Sequence, residues 1–214
     1  MAGSVTDWVA SKIEPNDGIA VVGRTPEDFL IIQNDKGMQF PVAIIGVSDL
    51  ILPKHVSTVL SQSTKPQFVM NVPSKTLWSG PAIDAVHKSP AAFGTLGDLR
   101  KASRQDEVWR FRNKELDFFE QAIGQHSNVY EVKRLFDRAF EAHRKKGQSL
   151  KIALIEAYNM SAEDVRNARD RYGPFDVAVK MSSYGSITSA ADNAAASIGA
   201  EAVMFKGLMQ RLAR

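Results

Sequence analysis

Two apolar stretches constrain the fold of this chain more than any other feature: QFVMNV at residues 67–72 and FDVAVK at residues 175–180. Each contains three consecutive apolar residues, 68–70 and 177–179, which is typical of a strand that helices cover on both faces. Each is followed by a small polar loop, an aromatic residue, a helical segment, a second short strand and a helix introduced by glycine. This order of strand, helix, strand and helix predicts parallel strands in an α/β protein.

The similarity of the two stretches has two interpretations. Any two strand-helix-strand-helix units look alike because the same packing constraints shape them. Alternatively, the stretches are related halves of the chain, or one sheet is extended by a second unit. The sequence leaves both interpretations open.

The middle of the chain has a different pattern. Residues 106–172 lack strand signals, and their apolar side chains recur at helical spacing, as in DEVWRFRNKELDFFEQAI and NVYEVKRLFDRAFEAHRKKG. LKIALIEAY and SAEDVRNARDRYG read as two further helices, the second opening with Ser161 and Asp164 at capping-box spacing. A short connection between these two helices would suit a helix-turn-helix, with Arg166, Asn167 and Arg169 offered to bases or phosphates.

These patterns predict the fold class and the domain organisation. We expect a mixed α/β fold with β-α-β-α units at residues 67–103 and 174–214 and a helical middle segment. The corresponding divisions are an N-terminal α/β unit at 1–104, a helical segment at 105–173 and a C-terminal unit at 174–214 that packs back on a sheet.

Composition excludes several functional classes. The chain has no cysteine, which excludes disulfides and thiolate metal sites, and its four histidines show no zinc-binding spacing. No G-x-S-x-G, G-x-x-x-x-G-K-[ST] or G-x-G-x-x-G motif is present. The N-terminus does not resemble a signal peptide and the longest apolar runs are too short to cross a bilayer, so we expect a cytoplasmic protein without a membrane partner.

The charge distribution indicates one candidate surface. The net charge is only +3, and the basic excess lies between residues 100 and 171. On a predicted helix around residue 138, one face would carry Lys133, Arg134, Arg138, Arg144, Lys145 and Lys146. Such a face either tracks phosphates or is an ordinary solvated surface.

A second candidate lies where the strand FDVAVK ends. Lys180 either packs its stem and extends its ammonium into water, or binds a phosphate beside Ser182 and Ser183. Ligands of parallel sheets collect beyond the carboxyl ends of the strands, which is where Lys180 would lie.

The order of elements in residues 4–103 and the closing segment SITSAADNAAASIGAEAVMFKGLMQRL together support a family resemblance. The closing segment carries alanines four apart, Ala191 and Ala195, followed by a short apolar strand and a Gly-Leu helix. This pattern resembles the restriction-endonuclease-like superfamily, particularly its Mrr-type branch, over about half to two-thirds of the chain.

The resemblance implies metal-dependent chemistry that this sequence does not support. The family's site needs an Asp on one strand and D/E/Q-x-K on the next, so that two carboxylates hold a divalent cation. Here Ala43, Ile44 and Ile45 stand where the acids are expected on one strand, and Ala178 occupies the carboxylate position before Lys180.

We therefore expect a nucleic-acid-associated protein without catalysis or cofactor, for DNA or RNA. The predicted contacts are Lys133, Arg134, Arg138, Lys145 and Lys146, with Lys180 and Ser182 as a second choice. One alternative is a protein-interaction or scaffold module that binds a protein partner or forms a homo-oligomer. The other is an Mg²⁺-dependent nuclease with displaced acids at Asp17, Asp28 or Asp176.

Overall fold

The computed structural model describes residues 4–14 and 18–214 of the chain. It divides into two compact units, Met1–Asn113 and Lys114–Arg214. The prediction of a mixed α/β protein is confirmed. The boundary between the units differs from the sequence-based divisions after residues 104 and 173.

The first unit consists of a helix, an antiparallel meander and two strand-helix repeats. Its elements are α1 (Val5–Ser11), β1 (Ile19–Arg24), β2 (Leu30–Asn34), β3 (Gln39–Ile45), β4 (Leu50–Ile51), α2 (Pro53–Leu60), β5 (Phe68–Asn71), β6 (Leu77–Trp78), α3 (Gly80–Lys88), β7 (Ala92–Gly94) and α4 (Leu96–Ala102). The main sheet has the order β1-β2-β3-β5-β7, in which β1 to β3 are antiparallel and β5 is parallel to both of its neighbours. The short strands β4 and β6 pair in parallel beside it.

Helices cover both faces of this sheet, which explains the unbroken apolar run in β5. Val9 of α1 and Leu99 of α4 share one apolar cluster with Phe68 and Met70. Val56 of α2 and Ile83 of α3 share the other cluster with Val69. Because alternate residues of a strand point to opposite faces, a strand between two helical layers is apolar at successive positions.

Apart from the short strands β4 and β6, the second unit has the same kinds of element in the same order. They are α5 (Lys114–Gly124), β8 (Val129–Phe136), β9 (Ala139–Arg144), β10 (Leu150–Ile155), α6 (Ala162–Tyr172), β11 (Val177–Lys180), α7 (Ser189–Ser197), β12 (Glu201–Met204) and α8 (Phe205–Ala213). The sheet order is β8-β9-β10-β11-β12, again antiparallel across the first three strands and parallel across the last three.

The two units therefore share one topology, down to small details. The first and last helices of each unit pack on one face of its sheet, and the two middle helices pack on the other. The parallel pair Ile51–Trp78 of the first unit has its counterpart in a parallel bridge between Met160 and Ile187. The similarity between the two β-α-β-α stretches is thus part of a match that extends over both units.

The helical middle segment is corrected by the structure. Helices α5 and α6 form, and the capping box of Ser161 and Asp164 is confirmed at the start of α6. Residues 129–155, however, form the strands β8, β9 and β10. Because LKIALIEAY contains β10, no helix-turn-helix forms with α6.

Strand irregularities explain why this segment looked helical. Strand β8 shifts register between Val129 and Glu131 and again between Arg134 and Phe136. Each bulge inserts an extra residue and breaks the two-residue period of a strand. As a result, Val129, Val132 and Phe136 are spaced by three and four positions, as apolar residues are on a helix.

Within the residues that the structure describes, no helix is long and apolar enough to cross a membrane.

Candidate functional site

The predicted basic residues lie on a β-hairpin and its flanking turns, not on one helix. Lys133 and Arg134 are in β8, Arg138 precedes β9, and Lys145 and Lys146 follow it. Strand β9 has 6 residues, so its two ends are separated by roughly 20 Å at about 3.4 Å per residue. The predicted helical face is therefore wrong: Arg138 lies at one end of β9, Lys145 and Lys146 lie at the other, and Lys133 lies between them, opposite Glu141.

Arg134 is part of the interior of the second unit. Its side chain is buried, and its guanidinium forms an ion pair with Glu120 of α5. The guanidinium carbon also lies 5.0 Å from the centre of the Phe140 ring. A side chain held in this way supports the packing of α5 on the sheet and is not available to an external phosphate.

Arg138 connects three elements at the end of the sheet where β9 begins. Its guanidinium lies 2.7 Å from a carboxylate oxygen of Glu156, just after β10, and 3.7 Å from one of Glu115 on α5. Two carboxylates thus share one guanidinium, and the positive charge expected at Arg138 is neutralised within the unit.

Asp137 adds a third acid near this position. Its carboxylate accepts a hydrogen bond from the backbone N–H of Arg138 at 3.1 Å and lies 3.3 Å from the guanidinium of Arg171. Burial nevertheless raises the pKa of Asp137 above its ordinary value. Burial and the nearby Asp137 carboxylate also raise the pKa of Tyr172.

Three of the predicted contacts remain exposed: Lys133, Lys145 and Lys146. Among residues 4–14 and 18–214, none of the three forms an ion pair. Lys145 donates a hydrogen bond from Nζ to the carbonyl of Ser127 at 2.9 Å. These three ammonium groups are the part of the predicted basic surface that a polyanion can reach.

Arg144, like Arg134, is held inside the second unit and is not available to an external phosphate. It is buried, and its Nε donates to the carbonyl of Gln148 at 2.6 Å. One of its terminal nitrogens donates to the carbonyl of Arg211 at 3.2 Å. Arg144 therefore joins the turn after β9 to the end of α8.

Lys180 is fully buried, so both interpretations made from the sequence need correction. Its Nζ reaches neither water nor an external phosphate; it donates hydrogen bonds to the carbonyls of Ser182, at 2.7 Å, and Tyr184. The hydroxyl of Ser182 accepts from the backbone N–H of Tyr184 at 3.2 Å. Lys180 and Ser182 thus organise the loop that follows β11.

Asn71 plays the corresponding part in the first unit. It is buried at the end of β5, where its Oδ1 accepts from the N–H of Val47 at 2.9 Å. Its Nδ2 donates to the carbonyls of Val47 at 2.9 Å and Pro73 at 2.8 Å. In both units, a buried polar side chain at the end of this strand satisfies backbone groups of the adjoining loops.

Two of the three acids considered for a nuclease contact other groups of their own units. Asp17 lies outside the described residues. Asp28 belongs to the first unit and forms a 2.8 Å ion pair with Arg24, whereas Asp176 belongs to the second and accepts a 2.7 Å hydrogen bond from the N–H of Lys151. In the described part of the chain, no group of three or more His, Asp or Glu side chains is arranged to hold a metal ion.

Sequence reasoning missed the partners Glu115, Glu120, Asp137 and Glu156. They come from separate segments, and their contacts with Arg134, Arg138 and Arg171 depend on the strand pairing that the helical interpretation did not include. Asp137 lies in the turn between β8 and β9. It can be recognised as a hairpin residue only after these two segments are identified as strands.

Comparisons of the chain with protein-family models, with curated proteins and with solved structures gave no match. The fold defines its class: an α/β protein built from two units of the topology α-β-β-β-α-β-α-β-α.

Proposed function

We propose that this chain is a nucleic-acid-associated protein that does not cleave its ligand. The resemblance to the restriction-endonuclease-like superfamily motivates the proposal. The element order of that resemblance, a helix, three strands, a helix and then strand-helix repeats, occurs twice in the chain, which supports the proposal.

The observation that carries the proposal is the exposure of Lys133, Lys145 and Lys146 without carboxylate partners in the described part of the chain. A lysine paired with an internal acid gains little from a phosphate, because it must first give up that partner. A lysine without an acid can neutralise a phosphate and release the counterions condensed on the nucleic acid.

The arrangement around Arg138 supports the non-catalytic part of the proposal. Glu115 and Glu156 face a guanidinium that belongs to the protein itself. At the strand positions where the resemblance implies metal-binding acids, Ala43 and Ala178 are fully buried apolar residues.

Fluorescence anisotropy with labelled single-stranded and duplex oligonucleotides tests the proposal. We expect binding by the full chain at low salt, with a linear fall in log affinity against log salt concentration. Replacement of Lys133, Lys145 and Lys146 by alanine should reduce the magnitude of that slope by roughly 2 to 3, since each lost phosphate contact contributes slightly less than one.

A matched control removes the same charge elsewhere. Lys54, Lys65 and Lys88 are exposed lysines of the first unit, and Lys65 bonds to backbone carbonyls much as Lys145 does. Their triple alanine variant should retain the wild-type slope. Absence of binding to either oligonucleotide at low salt would refute the nucleic-acid assignment, and Mg²⁺-dependent cleavage would refute the non-catalytic one.

A protein-interaction module is the second candidate, because several large side chains are exposed. Trp8 is 52% exposed, Tyr158 70% and Tyr184 75%. Aromatic residues of this kind are enriched at the centres of protein interfaces. Concentration-dependent sedimentation of the full chain, together with a lack of oligonucleotide binding, would favour this function.

A further inference from the structure

The second unit contains a groove of about 340 Å³ at the amino ends of its parallel strands. This is the opposite end of the sheet from Lys180 and from the turn before β9. Its walls include Glu141, Lys151, Arg169, Phe175, Asp176 and Ile198. The volume lies in the range of small-molecule sites in proteins.

The groove contains two cations, Lys151 and Arg169. Lys151 lies directly opposite Glu141 in the β9–β10 register, yet neither Lys151 nor Arg169 forms an ion pair within residues 4–14 and 18–214. The carboxylate of Glu141 instead lies 3.7 Å from Nε2 of His143.

The second acid of the groove is also occupied. Asp176 accepts the backbone N–H of Lys151 at 2.7 Å, which joins the start of β10 to the residue before β11. The two acids already contact other groups, and so does Ser149, whose hydroxyl lies 2.8 Å from Nδ1 of His143. The ammonium of Lys151 and the guanidinium of Arg169 are therefore the charged donors left to meet a ligand. Both are donors only, so they select an acceptor that carries negative charge.

One part of the groove wall is apolar. Pro174, Phe175 and Ile198 line the groove beside the two cations. An anionic group held by Lys151 and Arg169 would therefore leave the rest of a ligand against hydrocarbon and an aromatic ring, a combination typical of small-molecule sites.

We propose that this groove binds a small organic anion, in which a phosphate or carboxylate group contacts Lys151 and Arg169 and a compact apolar portion contacts Pro174, Phe175 and Ile198. The site goes beyond nucleic-acid association and does not rest on it, because the groove shares none of its residues with Lys133, Lys145 and Lys146.

Titration of the ¹⁵N-labelled full chain, followed by its amide signals, tests the proposal with three probes of similar size. Phenyl phosphate and benzoate distinguish a phosphate site from a carboxylate site, and benzyl alcohol is their neutral counterpart. We expect saturable shifts for at least one anion at residues of the groove, such as Gly199, and none for the alcohol.

Two substitutions that keep the side-chain stems assign the binding to the cations. Lys151→Gln and Arg169→Gln should each weaken binding of the preferred anion about tenfold, equivalent to about 1.4 kcal/mol. The backbone N–H that Lys151 donates to Asp176 is retained in its variant, so the fold should persist. Arg166→Gln is the matched control, because Arg166 is exposed on the same helix but does not line the groove.

Three results would overturn this inference. These are no saturable shifts with either anion, equal binding of benzyl alcohol, or unchanged affinity in the Lys151→Gln and Arg169→Gln variants. Loss of oligonucleotide binding in the triple lysine variant, with phenyl phosphate or benzoate still bound, would show that the two sites are separate.

Discussion

Asn71 and Lys180 occupy the same position in the sheets of the two units. Asn71 lies beside Ile45 and Lys180 beside Ile155, each at the last paired position of its strand with the end of the meander. Both side chains are buried, and both donate hydrogen bonds to loop carbonyls. The amide of Asn71 and the ammonium of Lys180 thus have the same structural role. Each donates hydrogen bonds to backbone carbonyls that would otherwise be buried without a partner at the end of a parallel strand.

The register extends this equivalence to a second pair. Arg24 lies opposite Leu30 in the first unit, and Arg134 lies opposite Phe140 in the second. Each arginine forms an ion pair with an acid of its unit's first helix, Arg24 with Asp7 and Arg134 with Glu120. The Arg24–Asp7 pair is exposed and the Arg134–Glu120 pair is largely buried. Loss of one partner should therefore lower the free energy of unfolding less in the first unit than in the second.

Lys180→Met should destabilise the second unit. The substitution preserves much of the buried stem but leaves the carbonyls of Ser182 and Tyr184 without their donor, which costs roughly 1–3 kcal/mol of unfolding free energy. Urea denaturation measures this loss. Lys206→Met, at an exposed lysine, should change the free energy of unfolding by less than about 0.5 kcal/mol. Equal effects of the two substitutions would contradict the internal role of Lys180.

Glu120→Gln should destabilise the protein by roughly 1–3 kcal/mol, because the buried guanidinium of Arg134 loses its counter-charge. Glu131→Gln removes the same charge from an exposed position of β8 and should have little effect. Thermal unfolding of the two variants gives the comparison. If Glu120→Gln unfolds at the wild-type temperature, the ion pair does not stabilise the packing of α5.

Gly185→Ala should be far more harmful than substitution at two other glycines with the same backbone angle. A Cβ at Gly185, where φ is +74°, would lie 1.9 Å from the carbonyl oxygen of Tyr158. Gly173 and Gly199 have φ of +75° and no atom within 4 Å of a built Cβ.

Gly173→Ala and Gly199→Ala should therefore cost only the backbone strain, about 1–3 kcal/mol. Gly185→Ala adds displacement of the 158–160 loop and should cost at least about 2 kcal/mol more. Chemical denaturation of the three variants gives their free energies of unfolding. The difference between Gly185→Ala and the other two separates the cost of the steric clash from the cost of backbone strain. Similar losses in all three would show that the two loops do not approach as closely as described.

Asp137 predicts a specific pH dependence. Burial raises its pKa in the folded protein above the ordinary value of 3.8, so the folded state binds this proton more tightly than the unfolded state. Its contribution to stability is present below pH 3.8 and is lost as pH rises through the raised pKa. Asp137→Asn should therefore become progressively more stable relative to the wild type as pH rises from about 3 to 7.

Denaturation of the wild type and of Asp137→Asn at each pH measures the difference between their free energies of unfolding. The contributions of the other acids are the same in both proteins, so they cancel in this difference. Those of opposite sign include Asp7 and Asp106, whose pKa values are lowered by hydrogen bonds with Arg24 and Lys36, respectively. A difference that is constant with pH, or that grows in favour of the wild type, would contradict the role assigned to burial of Asp137.

The predictable part of the fold is the part with a strong local signal. The buried strands β5 and β11, and the helices α5 and α6, follow from apolar runs, helical spacing and a capping box. The hairpin of β8 and β9 does not, because two bulges impose helix-like spacing on a strand.

The candidate site was predictable only in its residue types. Lys133, Lys145 and Lys146 are exposed as expected, whereas Arg134, Arg138 and Arg144 are engaged by residues from other segments. No local pattern distinguishes an arginine that faces water from one that faces Glu120 of a covering helix. That distinction depends on which strand lies next to which.

The sequence by itself determined the α/β class, because continuous apolar strands can persist only between two layers of helices. Tertiary structure alone decided which charges are free, because the number of cations is a property of composition whereas their neutralisation depends on distance. Coulombic and hydrogen-bonding energies act between groups brought together by folding, so Lys180 became an internal donor and Lys151 a candidate ligand-binding residue through position alone.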